Sequence, residues 1–397
     1  KYGDVIRREL IDIKDDGSYR LNMDYFGYCA GHRMTNEKFA ELFGGPARSP
    51  ESKMTQREMD IAKSIQVVTE EVMLKTANHV HQVTGSDNLC LAGGVALNCV
   101  ANGRILREGP FKNVWIQPAA GDAGNALGCA LFAWHQILGN SRTPDARRQK
   151  ATYLGPSFSD AEIKEFLDSE GVEYEYYPDE NALLERVAEV LASENVVGWF
   201  QGRMEFGPRA LGGRSILGDP RSRDMQTVLN LKIKFRESFR PFAPSVLRER
   251  VSECFELDSE SPYMLLVADV KKERVRELSD EEKSAQGFDK LKVIRSDLPA
   301  ITHVDNSARI QTVEAVDNPR YHGLIQKFYE KTGCPVVINT SFNVRGEPIV
   351  CTPQEAYTCF MRTNMDFLAL GGFVLDKKQQ KNWVEPETNW MEQYELD

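Results

Sequence analysis

Residues 88–139 read "NLCLAGGVALNCVANGRILREGPFKNVWIQPAAGDAGNALGCALFAWHQILG", and this stretch decides the fold class of the first part of the chain. Two apolar runs, 88–94 and 111–118, each have the pattern of a buried strand. Each is followed by a segment with helical spacing of apolar residues, 95–109 and 122–139. Strands and helices that alternate at this spacing are typical of a parallel sheet with crossover helices. The sequence therefore predicts an α/β domain here.

The segments on either side extend this assignment. Residues 57–84 repeat apolar positions at helical spacing and stop at Gly85, a residue typical of helix C-caps. Downstream, residues 138–151 ("LGNSRTPDARRQKA") are polar and rich in helix breakers, so we predict a linker there. We expect two domains, an α/β domain over residues 1–145 and a second domain over residues 152–397.

The second domain mixes strands and helices without strict alternation, which is typical of an α+β fold. Two of its helices are expected to begin with capping boxes, Ser159 with Glu162 and Thr352 with Glu355. The predicted strands are 196–200, 262–270, 308–316 and 334–342, and the predicted helices are 159–171, 181–195, 318–333 and 352–362.

Composition limits the class of protein. The 397 residues carry a formal net charge of -10 and 41% of them are hydrophobic. The acidic balance disfavours a nucleic-acid partner, and no window approaches the roughly eighteen uncharged apolar residues of a membrane span. Eight cysteines are scattered without a CxxC pair, which favours reduced thiols in a cytoplasmic protein over disulfides or zinc. The chain begins at Lys1 without the features of a signal peptide, so we expect a start within a longer chain.

Two glycine turns in the first domain, "LAGGVALN" (91–98) and "PAAGDAGNALG" (118–128), each follow a strand and precede a helix. Backbone N–H groups at such turns bind anions, so both turns can face one phosphate chain. Neither a Rossmann nor a Walker motif occurs. An ordinary N-cap is an alternative role for Asp122. The candidate residues are Gly93, Gly94, Gly121 and Gly124 for close backbone approach, and Asn98 and Asp122 as oxygen donors to a cation or hydroxyl.

A basic segment interrupts the acidic chain between Arg203 and Arg250, where eleven Lys or Arg residues outnumber five Asp or Glu residues. Four of its arginines lie among glycines, where side chains have little room to reach bulk water. Guanidinium groups bind phosphate or carboxylate oxygens in a bidentate manner. The segment therefore predicts a small phosphorylated or carboxylated ligand in preference to nucleic acid. The basic residues concerned are Arg203, Arg209, Arg214, Arg221, Lys232, Lys234, Arg236 and Arg240.

A third polar cluster lies at the end of the strand predicted at 334–342. Strand ends are natural ligand positions, although each of these residues could also be a turn former. His303, beside Asp305, is the one histidine that we regard as a site candidate. The cluster consists of Asn339, Thr340, Ser341 and Asn343, with Arg309 and Arg345 as further positive charges.

Six motifs together resemble the ATP-dependent O-carbamoyltransferases of the nodulation and antibiotic-tailoring type. In chain order they are "LAGGVALN", "PAAGDAGNALG", "GRMEFGPRALGGRS", "KFRESFRPFAPS", "THVDNSARIQTV" and "NTSFNVRGEPIV". The resemblance covers almost the whole chain. It implies part of an actin-like ATPase domain, similar to that of the tRNA threonylcarbamoyl-transferring enzymes, followed by a YrdC-like α+β domain.

This resemblance also implies an activity. The second domain would convert carbamoyl phosphate and ATP, with Mg²⁺, to carbamoyl-adenylate, releasing phosphate and pyrophosphate. The first domain, with bound iron or another divalent metal, would pass the carbamoyl group to a hydroxyl of a small acceptor such as an antibiotic or a sugar. No nucleic acid or membrane is an implied partner, and a homodimer is considered as the assembly.

The resemblance assigns site residues one by one. In the second domain, the residues that match positions holding carbamoyl phosphate and the adenylate are Arg209, Lys234, Arg240, Arg309, Asn339 and Ser341. In the first domain, Gly93, Gly94, Val95 and Asn98 match the nucleotide loop, and Asp122 matches a metal-binding aspartate. The remaining arginines, Arg203, Arg214 and Arg221, are expected to hold the loop rather than the ligand.

One feature of the family is absent from this sequence, a pair of metal-binding histidines spaced four apart. With one metal ligand left, we expect poor metal binding and doubtful carbamoyl transfer, whereas adenylate formation in the second domain could survive. Two alternatives stay open. A threonylcarbamoyl-type enzyme acting on tRNA would share both domain types, but the acidic charge disfavours it. A non-catalytic nucleotide-binding protein is the other.

Overall fold

The computed structural model describes residues 1–50, 52–143, 149, 152–236, 239–381, 383–385 and 389–390. They fall into two compact units. The first contains Lys1–Ala92 and Asn98–Gln117, and the second contains Gly93–Leu97 and the chain from Pro118 onward. In this division residues 118–143 group with the second unit. The predicted linker lies partly outside the described residues, and the boundary between 145 and 152 stays a prediction.

The first unit contains the long helix α1 (Gln56–Thr84). Its first turn is closed by a capping box between Thr55 and Glu58, and its last by Gly85, which has a φ of +62° and donates its N–H to the His81 carbonyl at 2.8 Å. The helix and the C-cap predicted from the sequence are therefore confirmed. The unit also has a short helix (Glu37–Leu42) and two antiparallel strands, β1 (Ile11–Ile13) and β2 (Tyr19–Leu21).

A strand–helix–strand unit completes this part of the chain. β3 (Asn88–Leu91) and β4 (Asn113–Ile116) pair in parallel, and helix α2 (Cys99–Glu108) lies between them in sequence. This confirms the parallel pairing. The helix starts later than the predicted residue 95, because the Asn98 side chain caps it by accepting the Ala101 N–H at 3.1 Å, while Gly94–Leu97 form a 3-10 turn. The core of this part consists of Ala77, Leu89, Ile105 and Phe111.

The second unit is built on a nine-stranded mixed sheet with the order β5-β13-β12-β6-β7-β11-β8-β10-β9. The β12–β6 and β10–β8 pairs are parallel and the other pairs are antiparallel. The strands are β5 (Glu175–Tyr176), β6 (Val197–Phe200), β7 (Arg214–Gly218), β8 (Ala243–Leu247), β9 (Leu266–Asp269), β10 (Ser307–Val313), β11 (Val336–Ser341), β12 (Phe367–Leu370) and β13 (Phe373–Asp376).

Helices accompany this sheet. α5 (Glu180–Ala192) packs against α6 (Pro319–Thr332), and α7 (Pro353–Arg362) packs against β6 and β12. Both predicted capping boxes are present, at Ser159 and at Thr352.

Across the described parts of the chain, no helix is both long and apolar enough to cross a membrane. The longer helices are α3 (Gly124–Phe132), α4 (Asp160–Ser169), α5 (Glu180–Ala192), α6 (Pro319–Thr332) and α7 (Pro353–Arg362), and shorter ones span Met225–Val228, Val251–Cys254 and Asp280–Ser284.

The four strands predicted in the second domain are confirmed as β6, β9, β10 and β11, but the two central strands β7 and β8 were not predicted. β7 begins with the two polar residues Arg214 and Ser215, so its sequence lacks the apolar pattern from which a buried strand is predicted. β8 contains Pro244, a residue that usually argues against a central strand because it lacks an N–H donor. Pro244 lies opposite Ile338 of β11, and the pairing of β8 with β10 begins one residue later, at Ser245.

Candidate functional site

Several strand ends meet at one end of the second unit's sheet. β11 runs antiparallel to β7 and β8, with Ser341 opposite Ser215 and Asn339 opposite Ala243. β10 runs parallel to β8. The carboxyl end of β11 therefore meets the amino ends of β7, β8 and β10. The predicted site residues on these strand ends, or in the segments leading into them, are Arg209, Arg240, Arg309, Asn339 and Ser341.

Polar side chains of three strands share one face here. Nδ2 of Asn339 donates to Oγ of Ser245 at 3.1 Å and to Oε1 of Gln311 at 2.9 Å. Alternate residues of a strand point to the same face. Ser341 and Arg309 therefore lie on the same face of the sheet as Asn339 and Gln311. The strand register thus brings together polar residues that are separated by up to a hundred positions in the sequence.

Lys234 contacts the end of β11 directly. Its Nζ donates to the Ser341 carbonyl, to the Asn343 carbonyl at 2.8 Å and to Oδ1 of Asn343 at 2.7 Å, and the residue is only 2% exposed. Burial, helped by the nearby charge of Arg236, lowers the pKa of Lys234 to about 7. The amine therefore exchanges its proton near neutral pH, and an anion bound close to it would favour the charged form.

Arg214 holds the loop that precedes β7. Its fully buried guanidinium donates to the carbonyls of Gln201 at 3.1 Å and Pro156 at 3.2 Å, and it lies 3.5 Å from the ring centroid of Phe200. Burial lowers the pKa of Arg214 to about 10, so the group stays charged at neutral pH. Its donors point at backbone carbonyls, which makes Arg214 a structural clamp.

Arg203 and Arg221 also bind groups of the protein. Arg203 donates from Nε to the Gly155 carbonyl at 2.9 Å and from Nη2 to the Leu154 carbonyl at 2.8 Å. Arg221 pairs with the buried carboxylate of Asp219 at 2.6 Å. Both arginines fix chain segments around the loop, in agreement with their exclusion from the ligand contacts in the sequence analysis.

Glu205 is a buried residue of this loop that the sequence analysis missed. Its Oε1 accepts the N–H groups of Leu211 at 2.7 Å and Gly213 at 2.6 Å, and the residue is 6% exposed. Its charge also opposes the effect of burial on the pKa of Arg214. The available signal was that Glu205 is the one acidic residue between Arg203 and Arg214.

His303 lies close to Arg309. Its Nδ1 is 3.1 Å from Oγ of Ser307, and that hydroxyl donates to Oδ1 of Asp305 at 2.6 Å. Burial lowers the pKa of His303 and the charge of Arg309 lowers it further, while Asp305 raises it. The imidazole is therefore held as a neutral group in a turn. Its bond to Ser307 supports the chain where β10 begins.

The two glycine turns of the first predicted domain touch each other. Gly93 has a φ of +96°, and its N–H donates to the Ala120 carbonyl at 2.8 Å. A Cβ atom at Gly93 or Gly94 would meet no atom within 4 Å, so the backbone there is open to approach. At Gly124, the first residue of α3, a Cβ atom would lie 2.1 Å from the Ala119 carbonyl oxygen, so only glycine fits. Val95 is exposed beside these turns.

Asn98 belongs to the other compact unit. Its Oδ1 accepts the Ala101 N–H and Nε2 of Gln66, both at 3.1 Å, and its Nδ2 donates to Oε1 of Gln66 at 3.0 Å. The side chain therefore has a local role as helix cap. Its role in the nucleotide loop stays a prediction.

Asp122 does not have the surroundings of a metal site. It is exposed, the residue at the N-cap position of α3 is Ala123, and Asp122 contributes only its carbonyl to the turn by accepting the Asn125 N–H at 3.1 Å. Within the described residues, no group of three or more His, Cys, Asp or Glu side chains is arranged to hold a metal ion. A single carboxylate does not fit the three or more ligands that an iron or zinc site needs.

Comparison with known families identifies the chain. A model described as "Carbamoyltransferase N-terminus" matches residues 1–131, and one described as "Carbamoyltransferase C-terminus" matches residues 188–377. The chain belongs to the carbamoyltransferase family. The first match includes the predicted residues Gly93, Gly94, Val95, Asn98 and Asp122, and the second includes Arg209, Lys234, Arg240, Arg309, Asn339 and Ser341.

Relatives of this carbamoyltransferase-family chain are longer than it is. It is 62% identical to "Uncharacterized protein sll1178" of Synechocystis sp., over 100% of this chain and 65% of that protein. It is 38% identical to "Nodulation protein NolO" of Bradyrhizobium diazoefficiens, over 95% of this chain and 64% of that protein. The chain thus spans about two thirds of the length of these relatives.

One solved structure is similar only weakly. It is titled "Crystal structure of full-length HypF in the phosphate- and nucleotide-bound form" and has a TM-score of 0.31 and 13% sequence identity, covering 70% of this chain and 40% of that one. This similarity is too low to establish a shared fold.

Proposed function

We propose that residues 152–397 form carbamoyl-adenylate from carbamoyl phosphate and ATP-Mg²⁺, and that the whole protein transfers the carbamoyl group to a hydroxyl of a small acceptor. Carbamoyl phosphate would be hydrolysed to carbamate and phosphate. A carbamate oxygen would then attack the α-phosphorus of ATP, forming the new O–P bond while the bond to pyrophosphate breaks. Membership of the carbamoyltransferase family supports carbamoyl transfer as the general activity.

The observation that carries this proposal is the common strand end of the second unit. The register of β7, β8, β10 and β11 gathers there the segments that contain Arg209, Arg240 and Arg309, next to the polar end of β11. Reaction at phosphorus concentrates negative charge on its oxygens, and fixed cations stabilise that charge without a covalent nucleophile. The proposed roles of these arginines are therefore to bind carbamoyl phosphate and to stabilise the departing phosphate and pyrophosphate.

Lys234 fits the same chemistry. It is buried at the end of β11, and its pKa of about 7 lets it become fully charged when a phosphate group binds. Asn339 holds the loop carbonyl of Ala210 through Nδ2 at 3.2 Å. We propose that Lys234 contributes charge to the site and that Asn339 and Ser341 orient the ligand and the surrounding chain.

For the first predicted domain we propose binding of the nucleotide phosphates at the touching glycine turns. Their open backbone at Gly93 and Gly94 supports this role. Because Asp122 alone does not make a metal site among the described residues, no step of this proposal runs through a metal there. The actin-like and YrdC-like folds, a cytoplasmic location and a homodimer belong to the same proposal.

Pyrophosphate release tests the adenylation step. The protein is incubated with ATP and Mg²⁺, with and without carbamoyl phosphate, and pyrophosphate is measured. We expect release that depends on carbamoyl phosphate. Release that is absent, or that is equal without carbamoyl phosphate, would reject the proposal.

Alanine variants test the roles proposed for Arg209 and Arg309. Arg209→Ala and Arg309→Ala should each lower kcat/KM for carbamoyl phosphate about thirtyfold or more, corresponding to about 2 kcal/mol of lost charge-assisted contact. Arg276→Ala is the matched control, since Arg276 is an exposed residue paired with Glu282 and should leave the rate unchanged. Near-normal rates in both site variants would contradict the roles given to Arg209 and Arg309.

A further inference from the structure

The loop that contains Arg209 is held on its N–H side by one carboxylate. Oε1 of Glu205 accepts the N–H groups of Leu211, Gly213 and, at 3.3 Å, Arg214. A hydrogen bond to an ionised acceptor is about twice as strong as one between neutral groups. Glu205 therefore closes the segment 205–214 into a ring whose two ends are tied together inside the protein.

The carbonyl groups of the same loop accept hydrogen bonds from side chains of three other segments. The Ala210 carbonyl accepts from Asn339, and the Leu211 carbonyl accepts from Nε2 of Gln311 at 2.8 Å and from the hydroxyl of Tyr153 at 2.6 Å. Every contact falls within two residues after Arg209. The loop is thus bound to the sheet immediately beside the proposed ligand-binding arginine.

Sterics leave this loop little freedom. Gly212 has a φ of +104°, and a Cβ atom there would lie 2.3 Å from the ring of Tyr321. Its carbonyl accepts Nε1 of Trp199 at 2.9 Å. The glycine is therefore packed against two buried aromatic side chains, and a shift of Arg209 requires several of these contacts to break together.

The carboxylate also has an electrostatic role. Arg214 is fully buried, which lowers the pKa of its guanidinium. The negative charge of Glu205 is the largest effect that raises this pKa again. Removing the charge of Glu205 would weaken the N–H contacts and leave the buried cation with less compensation. Both effects loosen the same loop.

We propose that Glu205 is a positioning residue, which fixes the loop 206–213 and thereby sets the guanidinium of Arg209 for binding carbamoyl phosphate. This inference rests on the proposed function. It predicts that Glu205 acts on the reaction only through Arg209. Because a displacement of about 1 Å in a site can cost up to about a hundredfold in rate, loosening this loop should be visible kinetically.

A double-mutant cycle on the intact protein tests the inference. Glu205→Gln keeps the size and an acceptor oxygen but removes the charge, and it should lower kcat/KM for carbamoyl phosphate about tenfold or more. In an Arg209→Ala background the same change should lower it less than about twofold. Glu185→Gln is the matched control. Glu185 is an exposed residue of α5 that pairs with Lys331, and its substitution should have no effect on kcat/KM in either background.

A milder variant keeps the test valid if Glu205→Gln does not fold, as judged by circular dichroism. Tyr153→Phe removes one donor to the Leu211 carbonyl and should lower kcat/KM about threefold, again only when Arg209 is present. Equal effects with and without Arg209, in a protein that releases pyrophosphate in a carbamoyl phosphate-dependent manner, would overturn the inference alone. Loss of that dependence in the unmodified protein would overturn the proposed function and this inference together.

Discussion

Lys234 is predicted to make the protein more stable as the pH rises from 7 to 8.5. In the folded protein its pKa is about 7, whereas the ordinary value is 10.5. Between these values the unfolded chain binds a proton that the folded chain lacks, so the free energy of unfolding increases with pH. Below pH 7 both states are protonated, and the full cost of burying the charge remains.

The magnitude follows from the two pKa values. The limiting slope for one proton is about 1.4 kcal/mol per pH unit, and the slope is half of this at the folded pKa. Integration from pH 7 to pH 8.5 gives a rise of about 2 kcal/mol from Lys234. Lys377, whose pKa burial lowers to about 8, contributes in the same direction at higher pH, so the comparison needs a variant that lacks only Lys234.

Urea unfolding followed by tryptophan fluorescence measures the effect, since Trp199 is fully buried in the sheet. The free energy of unfolding is compared at pH 7 and 8.5 for the unmodified protein, Lys234→Met and Lys232→Met. Lys232 is exposed and two residues away, so its variant should keep the unmodified pH dependence. An equal rise with pH in Lys234→Met would refute the assignment of this dependence to Lys234.

Three further predictions concern binding and stability. The KM for carbamoyl phosphate should increase above pH 7 as Lys234 loses its proton, by up to about tenfold per pH unit, and a pH profile that is unchanged in Lys234→Met would contradict this. Arg214→Met should lower the free energy of unfolding by about 3 kcal/mol, because the carbonyls that it binds lose a buried charged donor, whereas Arg276→Met should change it little in the same urea titration. Thr55→Ala removes the N-cap of α1 and should cost about 1 kcal/mol, seen as a lower Tm, and an unchanged Tm would show that the cap is dispensable.

The features that could be predicted from the sequence depend on neighbours in the chain. The C-cap at Gly85 and the capping boxes at Ser159 and Thr352 join residues at most four positions apart, so their motifs identify them. The β3–α2–β4 unit could also be predicted from the sequence, because its two apolar runs are separated by the length of one helix. Local hydrogen bonding and short connections thus account for most of the correct fold assignment.

The features that could not be predicted depend on distant contacts. Arg209 and Arg214 lie in the same glycine-rich motif, yet the guanidinium of Arg214 reaches the Pro156 carbonyl, 58 residues away, and no spacing within the motif indicates this. The central strand β8 was not predicted because Pro244 is atypical of such a strand. The register explains its position, since Pro244 pairs with β11 and lies one residue before the pairing with β10 begins. The grouping of α3 with the second compact unit was likewise invisible in the alternation of strands and helices.

The arginines near β7 serve two different purposes, and their hydrogen-bond partners distinguish them. Arg203 and Arg214 direct their donors at backbone carbonyls, and Arg221 pairs with the carboxylate of Asp219, so these three arginines bind groups of the protein. In the proposed function, the positive potential for a ligand comes from Arg209, Arg240 and Arg309 near the strand ends around Ser341. Lys234, whose Nζ also donates to the carbonyls of Ser341 and Asn343 and whose pKa is about 7, adds to it when protonated. In the proposed function, a chain of net charge -10 would bind an anion without a broadly basic surface, because the cations lie at one end of a sheet and Lys234 would gain a proton when the anion binds.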